Sequence, residues 1–153
     1  MLDVTPFCIC TVVSEKAIST ILENTGEGTL KDSHPWIIAQ ERLDAADKGG
    51  LGLPIIFATG KNLQFSHWSI IKGLDVQEFA KGTYETRCRF DSLQKVHPIW
   101  LDLQSISLMP SIEQLRREEI EPIRMHRQFL NESLIHPYAI CETPAFIGSF
   151  HGD

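Results

Sequence analysis

Residues Leu53–Val76 read LPIIFATGKNLQFSHWSIIKGLDV, two apolar runs joined by the polar link GKNLQ. A continuous apolar run of this length, rich in Ile, reads as a buried strand, and the link is short enough to turn a hairpin. The second run carries His67 and Trp68 near its centre. Adjacent residues on a strand point to opposite faces. If Trp68 joins Ile70 in the core, His67 shares the other face with Phe65, Ser69 and Ile71. That second face is still largely apolar, so the strand is expected to be covered on both sides.

Working toward the N-terminus, PWIIAQERLDAADKGG predicts a helix. Ser33 or His34 would cap it, Pro35 sits in its first turn, Trp36, Ala39, Leu43 and Ala46 mark one face, and Gly49–Gly50 stop it. TGEGTLKDS, before it, has the composition of a loop. EKAISTILEN predicts a short helix capped by Ser14. PFCICTVV is an apolar, β-branched strand. Toward the C-terminus, GTYETRCRF alternates, with Tyr84, Thr86, Cys88 and Phe90 inward and Glu85, Arg87 and Arg89 outward. PIWLDLQSISLM reads as a further strand. SIEQLRREE predicts a helix with Ile112 and Leu115 inward, and PIRMHRQFLNES another helix. LIHPYAIC is a closing strand with Pro137 at an edge.

This order, β-α-α-β-β-β-β-α-α-β, predicts an α+β fold in which the consecutive middle strands pair antiparallel and curl into a sheet or barrel flanked by helices. The 153 residues suffice for one domain with a sizeable core. No internal repeat or linker divides the chain.

Hydrophobic content of 42% and charged content of 22% are those of an ordinary globular chain. No apolar run approaches the roughly 18 residues of a membrane span. MLDVTPFCICTVV lacks the basic residues of a secretory signal, so a cytoplasmic protein without membrane attachment is expected. Cys8, Cys10, Cys88 and Cys141 fit small apolar fillers in a reducing compartment, and their spacing supports no metal site.

The net charge of −6 argues against a general binder of nucleic-acid backbone. Six of the seven arginines fall between residues 87 and 127. Such a face suits a single anionic group, and solvated ion pairs are the plainer reading. No nucleophile elbow, phosphate-cradling loop, zinc-protease motif or dinucleotide glycine pattern occurs. KGGLGLP follows a helix and precedes a strand, the reverse of a phosphate loop. Neither a catalytic residue nor a cofactor is assigned.

The sequence of elements resembles the PUA-like fold, and within it the EVE-type and ASCH-type domains. CTVVSE, PWIIAQERL, LPIIFATG, HWSIIKGLDV, SIEQLRREE and FLNESLIHPYAI carry the likeness, in that order. KGTYETRCR echoes the Gly-x-Lys-x-x-Glu-x-Arg segment of ASCH domains without its spacing. The resemblance implies a curled antiparallel β-barrel flanked by helices. It also implies an aromatic-lined pocket for a modified nucleobase, free, as a nucleotide, or within RNA or DNA. Such a pocket sandwiches a planar base and reads its edge with a few fixed polar groups.

Seven residues are candidates for that role. Trp36, at a helix start, is a stacking platform or a core anchor. Ser14 and Thr59, at strand ends, are edge-reading groups, or a helix cap and a turn residue. His67 and Trp68 are pocket walls or core. Arg127 and His136 are contacts for a phosphate or carboxylate, with Glu pairing as the alternative for Arg127. Two further function classes stand beside this one. A protein-interaction module predicts an exposed apolar patch. A hydrolase on the same scaffold predicts a His or Cys with a strongly shifted pKa beside a carboxylate.

Overall fold

The computed structural model describes residues 3–24, 27–121 and 123–148. The elements are β1 (Phe7–Val12), α1 (Glu15–Glu23), β2 (Gly28–Asp32), α2 (Ile37–Lys48), β3 (Pro54–Thr59), β4 (Gln64–Ala80) and β5 (Thr83–Phe90). They continue with β6 (Gln94–Lys95), β7 (Leu101–Asp102), a 3-10 turn (Leu103–Ser105), α3 (Ile112–Ile120), β8 (Tyr138–Glu142) and α4 (Ala145–Gly148). The fold is mixed α+β, and its eight-stranded sheet runs β2-β5-β4-β3-β1-β8, with β6 and β7 also pairing β4.

β3, β4 and β5 pair antiparallel, as their short links require. β1 and β3, in contrast, run parallel, with Ile9 opposite Ile55 and Val12 opposite Ala58. The wall is therefore mixed, which corrects the expectation of antiparallel pairing throughout. The connection through α1, β2 and α2 is long enough to return the chain to the same end of the sheet, which parallel pairing needs. The sheet is not closed into a barrel: its path ends at β2 and β8. Residues 101–109 nevertheless reach from one part of it to another. Leu101 pairs with Phe65 of β4, and Leu108 bridges Cys141 of β8.

β4 gains its character from a bulge. Phe57 lies opposite His67, yet Ala58 lies opposite Phe65, so Ser66 is the extra residue. An extra residue reverses the alternation. Phe65 and Trp68 consequently share one face, and Phe65 leaves the His67 face on which simple alternation had put it. Phe65 and Trp68 pack with Cys8, Cys10, Ile56, Leu103 and Leu130. The opposite face of the sheet presents Ile9, Ile55, Phe57 and Ile71 to Trp36, Ala39, Leu43 and Ala46 of α2. The strand is thus covered on both sides, as its two apolar faces demand. All four cysteines are buried and unlinked.

Four further expectations change. PIWLDLQSISLM, expected as one strand, holds only the two-residue β7, the 3-10 turn and isolated bridges at Ser107 and Leu108. TGEGTLKDS contains β2, which pairs β5 from Gly28–Phe90 to Asp32–Thr86. Only Gly28 of its residues is buried, so an edge strand of Gly and polar residues looks like a loop in sequence. Residues 122–133 do not form a helix: residue 122 lies outside the described residues, and 123–128 carry no helix or strand. Asn131 Oδ1 instead accepts from the backbone N–H groups of Ser133 and Leu134, a local turn that competes with helix. α3 forms with Ser111 Oγ accepting from Gln114 N–H, but none of its residues is buried, and Ile112 is 68% exposed. Among the described residues, no helix is long and apolar enough to cross a membrane.

Candidate ligand-binding site

Parallel pairing makes β1 and β3 end at the same rim. Val13 N–H donates to Ala58 O at 3.0 Å, carrying the ladder one step past β1. From there one strand passes into Ser14 and Glu15, the start of α1, and the other into Gly60 and Lys61. Between them lies a shallow, open depression of about 550 Å3 lined by Val12, Val13, Ser14, Glu15, Gly60, Lys61 and Leu63.

Each lining group has a local cause. Ser14 Oγ caps α1 by accepting from Ala17 N–H at 3.0 Å. Gly60 adopts φ +88°, a left-handed turn conformation that favours glycine. A Cβ on Gly60 would stand 3.3 Å from Glu15 Oε1, so the carboxylate leans close over the turn backbone. Among the described residues neither Glu15 nor Lys61 enters an ion pair. Thr59, next to Gly60, is 3% exposed and its Oγ1 has no hydrogen-bond partner among the described residues. A hydroxyl buried without a partner costs about 1–3 kcal/mol.

Ser14 and Thr59 are therefore brought to one rim. The other five candidates lie elsewhere. Trp36 is 1% exposed, its Nε1–H donates to Asp32 Oδ2 at 2.7 Å, and its ring lies 4.7 Å from that of Tyr138. In this conformation it is a core anchor with no face open for stacking. The reason is tertiary: β2 delivers Asp32 and β8 delivers Tyr138. Trp68 is 6% exposed within the apolar cluster. His67 is 8% exposed, with Nδ1 2.9 Å from Ser66 Oγ. Burial, and then the positive charge of Lys95, hold its pKa below 6.5.

Arg127 is 7% exposed and enclosed by protein carboxylates. Its Nη1 and Nη2 donate to Glu118 at 2.6 and 2.7 Å, and its Nε donates to Glu142 at 3.2 Å. Arg124 also grips Glu142 through both carboxylate oxygens. Pairing with Glu, rather than an open anion site, accounts for these arginines. His136 is exposed and precedes Pro137, whose carbonyl accepts from Thr11 Oγ1 at 2.7 Å.

Burial pushes the Cys10 thiol well above its ordinary pKa, and burial raises Cys88 to about 12. These shifts keep both protonated, opposite to what activates a thiol nucleophile. Among the described residues no cluster of three or more His, Cys, Asp or Glu could hold a metal ion.

Glu15, Gly60 and Lys61 escaped the sequence reading. Their only signal is a polar pair at the end of each apolar run, Ser-Glu after TVV and Gly-Lys after FAT. The two pairs become neighbours once the strands are known to be parallel. A scan against protein-family models finds no match to the chain, and a search of curated proteins finds no significant match.

Proposed function

We propose that this chain is a PUA-like binding domain that holds a nucleobase edge-on in the cleft between the ends of β1 and β3, without chemistry on the ligand. Support for the curled wall comes from residues 101–109, which contact β4 at one end and β8 at the other around the cluster containing Phe65 and Trp68. The observation that carries the functional reading is that Ser14, Glu15 and Lys61 line one site together with the apolar Val12, Val13 and Leu63.

A planar ring takes the apolar floor. Glu15 accepts from ring or exocyclic N–H groups, Lys61 donates to a carbonyl, and Ser14 serves either way. A carboxylate in the first turn of α1 repels phosphate, so a base edge suits the cleft better than an anionic group. Thermal-shift and calorimetric titration against natural and modified nucleosides tests this. Glu15→Gln and Lys61→Ala are each expected to weaken binding about tenfold, the loss of one charge-assisted hydrogen bond. Absence of binding by the whole panel defeats the reading.

α3 favours a second reading, a protein-interaction module. None of its residues is buried, and Ile112, Ile120 and the following Ile123 are 68%, 77% and 69% exposed. Ile120→Lys would abolish co-purification of a partner under this reading and leave it unchanged under the first.

A further inference from the structure

Trp100 is the third indole of the chain and differs from the other two. It is 47% exposed, beside 1% for Trp36 and 6% for Trp68. Its φ is +67°, a left-handed conformation in which the Cβ of any residue but glycine is crowded. Such geometry persists where the surroundings over-determine it, and it concentrates at sites of function.

The surroundings here are specific. Val96 N–H donates to Ser66 O, and Trp100 N–H donates to Phe65 O, both at 2.9 Å. The excursion of residues 97–99 thus leaves and rejoins β4 at neighbouring residues, beside the Ser66 bulge. Its return is locked by Leu101 opposite Phe65 and Asp102 opposite Gln64, with Gln64 Nε2 donating to Asp102 Oδ1 at 2.9 Å. A tightly anchored loop therefore presents an indole to solvent with Ile99, itself 40% exposed, beside it in the chain.

Two more features give this edge a chemistry. Lys95 lies opposite His67 on the same edge of β4, is exposed, and enters no ion pair among the described residues. Leu63, which lines the site at the ends of β1 and β3, directly precedes β4 in the chain. Trp100 and Lys95 therefore follow one another along the edge of β4 that faces away from β3, with Asp102 at the neighbouring Gln64 level. An aromatic with a cation two residues further along the same edge suits a base and one phosphate. The overall charge of −6 restricts the ligand to a short stretch.

We infer that Trp100 is a stacking platform for an unpaired base of a short single-stranded nucleic acid, a further base of which occupies the β1–β3 cleft. This rests on the nucleobase reading given above and extends it from a free base to an oligonucleotide. Lys95 contacts the backbone phosphate beside the stacked base.

The test measures binding of short single-stranded RNA and DNA oligonucleotides, and of the nucleosides alone, to the full chain. Tryptophan fluorescence and calorimetry are the readouts. Trp100→Ala and Trp100→Gly are expected to weaken oligonucleotide binding tenfold or more, to remove most of the fluorescence quenching, and to leave nucleoside binding unchanged. Trp100→Phe retains most of the affinity. Trp100→Gly melts at or above the temperature of the parent protein, because glycine adopts φ +67° without crowding. Oligonucleotide affinity within twofold of the parent in both the Ala and Gly variants overturns the platform. So does a loss of nucleoside binding that parallels a fall in melting temperature, which would make Trp100 structural. If the Trp100 variants lose oligonucleotide binding while Glu15→Gln and Lys61→Ala bind nucleosides as the parent does, the platform stands and the cleft reading fails. Absence of binding by nucleosides and oligonucleotides alike overturns both.

Discussion

In the first half of β4 every residue from Phe65 to Ser69 is buried, between a cluster built on Trp68 on one face and α2 with Trp36 on the other. Residues 123–137, in contrast, contain no regular helix or strand. Leu130 and Ile135 are fully buried there, but much of the segment is held by polar contacts. Glu118 of α3 accepts from Arg127 and from Met125 N–H, and Gln114 Nε2 donates to His126 O at 2.9 Å. Glu142 of β8 takes Arg124 and Arg127. Apolar burial holds the first region with little dependence on pH or salt, whereas the second depends on the charge of two carboxylates.

The largest effect should come from emptying the apolar side. Trp36→Ala removes a fully buried indole and leaves Asp32 with His34 as its remaining side-chain partner. Chemical denaturation should show a loss of about 3–5 kcal/mol, with little dependence on salt. A loss below about 1 kcal/mol would mean that the α2 face is not the core it resembles.

Gly28→Ala tests the β2 edge. A Cβ there would stand 2.5 Å from Phe90 Cε2 and 2.9 Å from Ile21 Cγ2, so the Phe90 ring and the Ile21 side chain must give way. A destabilisation of about 1–3 kcal/mol is expected, and an unchanged melting temperature would argue that β2 does not dock.

Acid separates the two regions most sharply. The Arg127 guanidinium holds the Glu118 carboxyl at about 2, below its ordinary 4.5. Arg124, with help from Arg127, lowers Glu142 as well. A depressed carboxylate stabilises the fold above its ordinary pKa, and that contribution drains away as pH falls toward the folded value. Between pH 4.5 and about 2, hydrogen exchange should rise in residues 123–137 before it rises in β4. Simultaneous loss of protection in both would dissolve the distinction.

The smallest expected effect lies in β4 itself. Burial and Lys95 lower the His67 pKa, so the folded state disfavours its proton. Stability should decline slightly as pH falls from 6.5 through the folded value, and His67→Gln should remove that slope. An equal slope in the variant would place the titrating group elsewhere.

Most of the helix and strand pattern was readable because each element carries its own signature. Ser14 and Ser111 announced two helix starts, and the alternation of residues 83–90 correctly assigned both faces of β5. The failures share a cause. Gly28–Asp32 becomes a strand only because β5 supplies a partner. The stretch after residue 122 had helical composition, yet its backbone and arginines found partners on residues 106–108, α3 and β8.

For the candidate site the division is similar. Local sequence determined that Ser14 and Thr59 stand at strand ends, that a Gly-Lys turn follows β3, and that three tryptophans are present. Tertiary structure alone decided that β1 and β3 lie parallel, so that Glu15 and Lys61 line one site. It also decided that Trp36 and Trp68 are enclosed while Trp100 faces solvent. Burial and strand direction are properties of the partners a segment finds, and those partners lie tens of residues away in the chain.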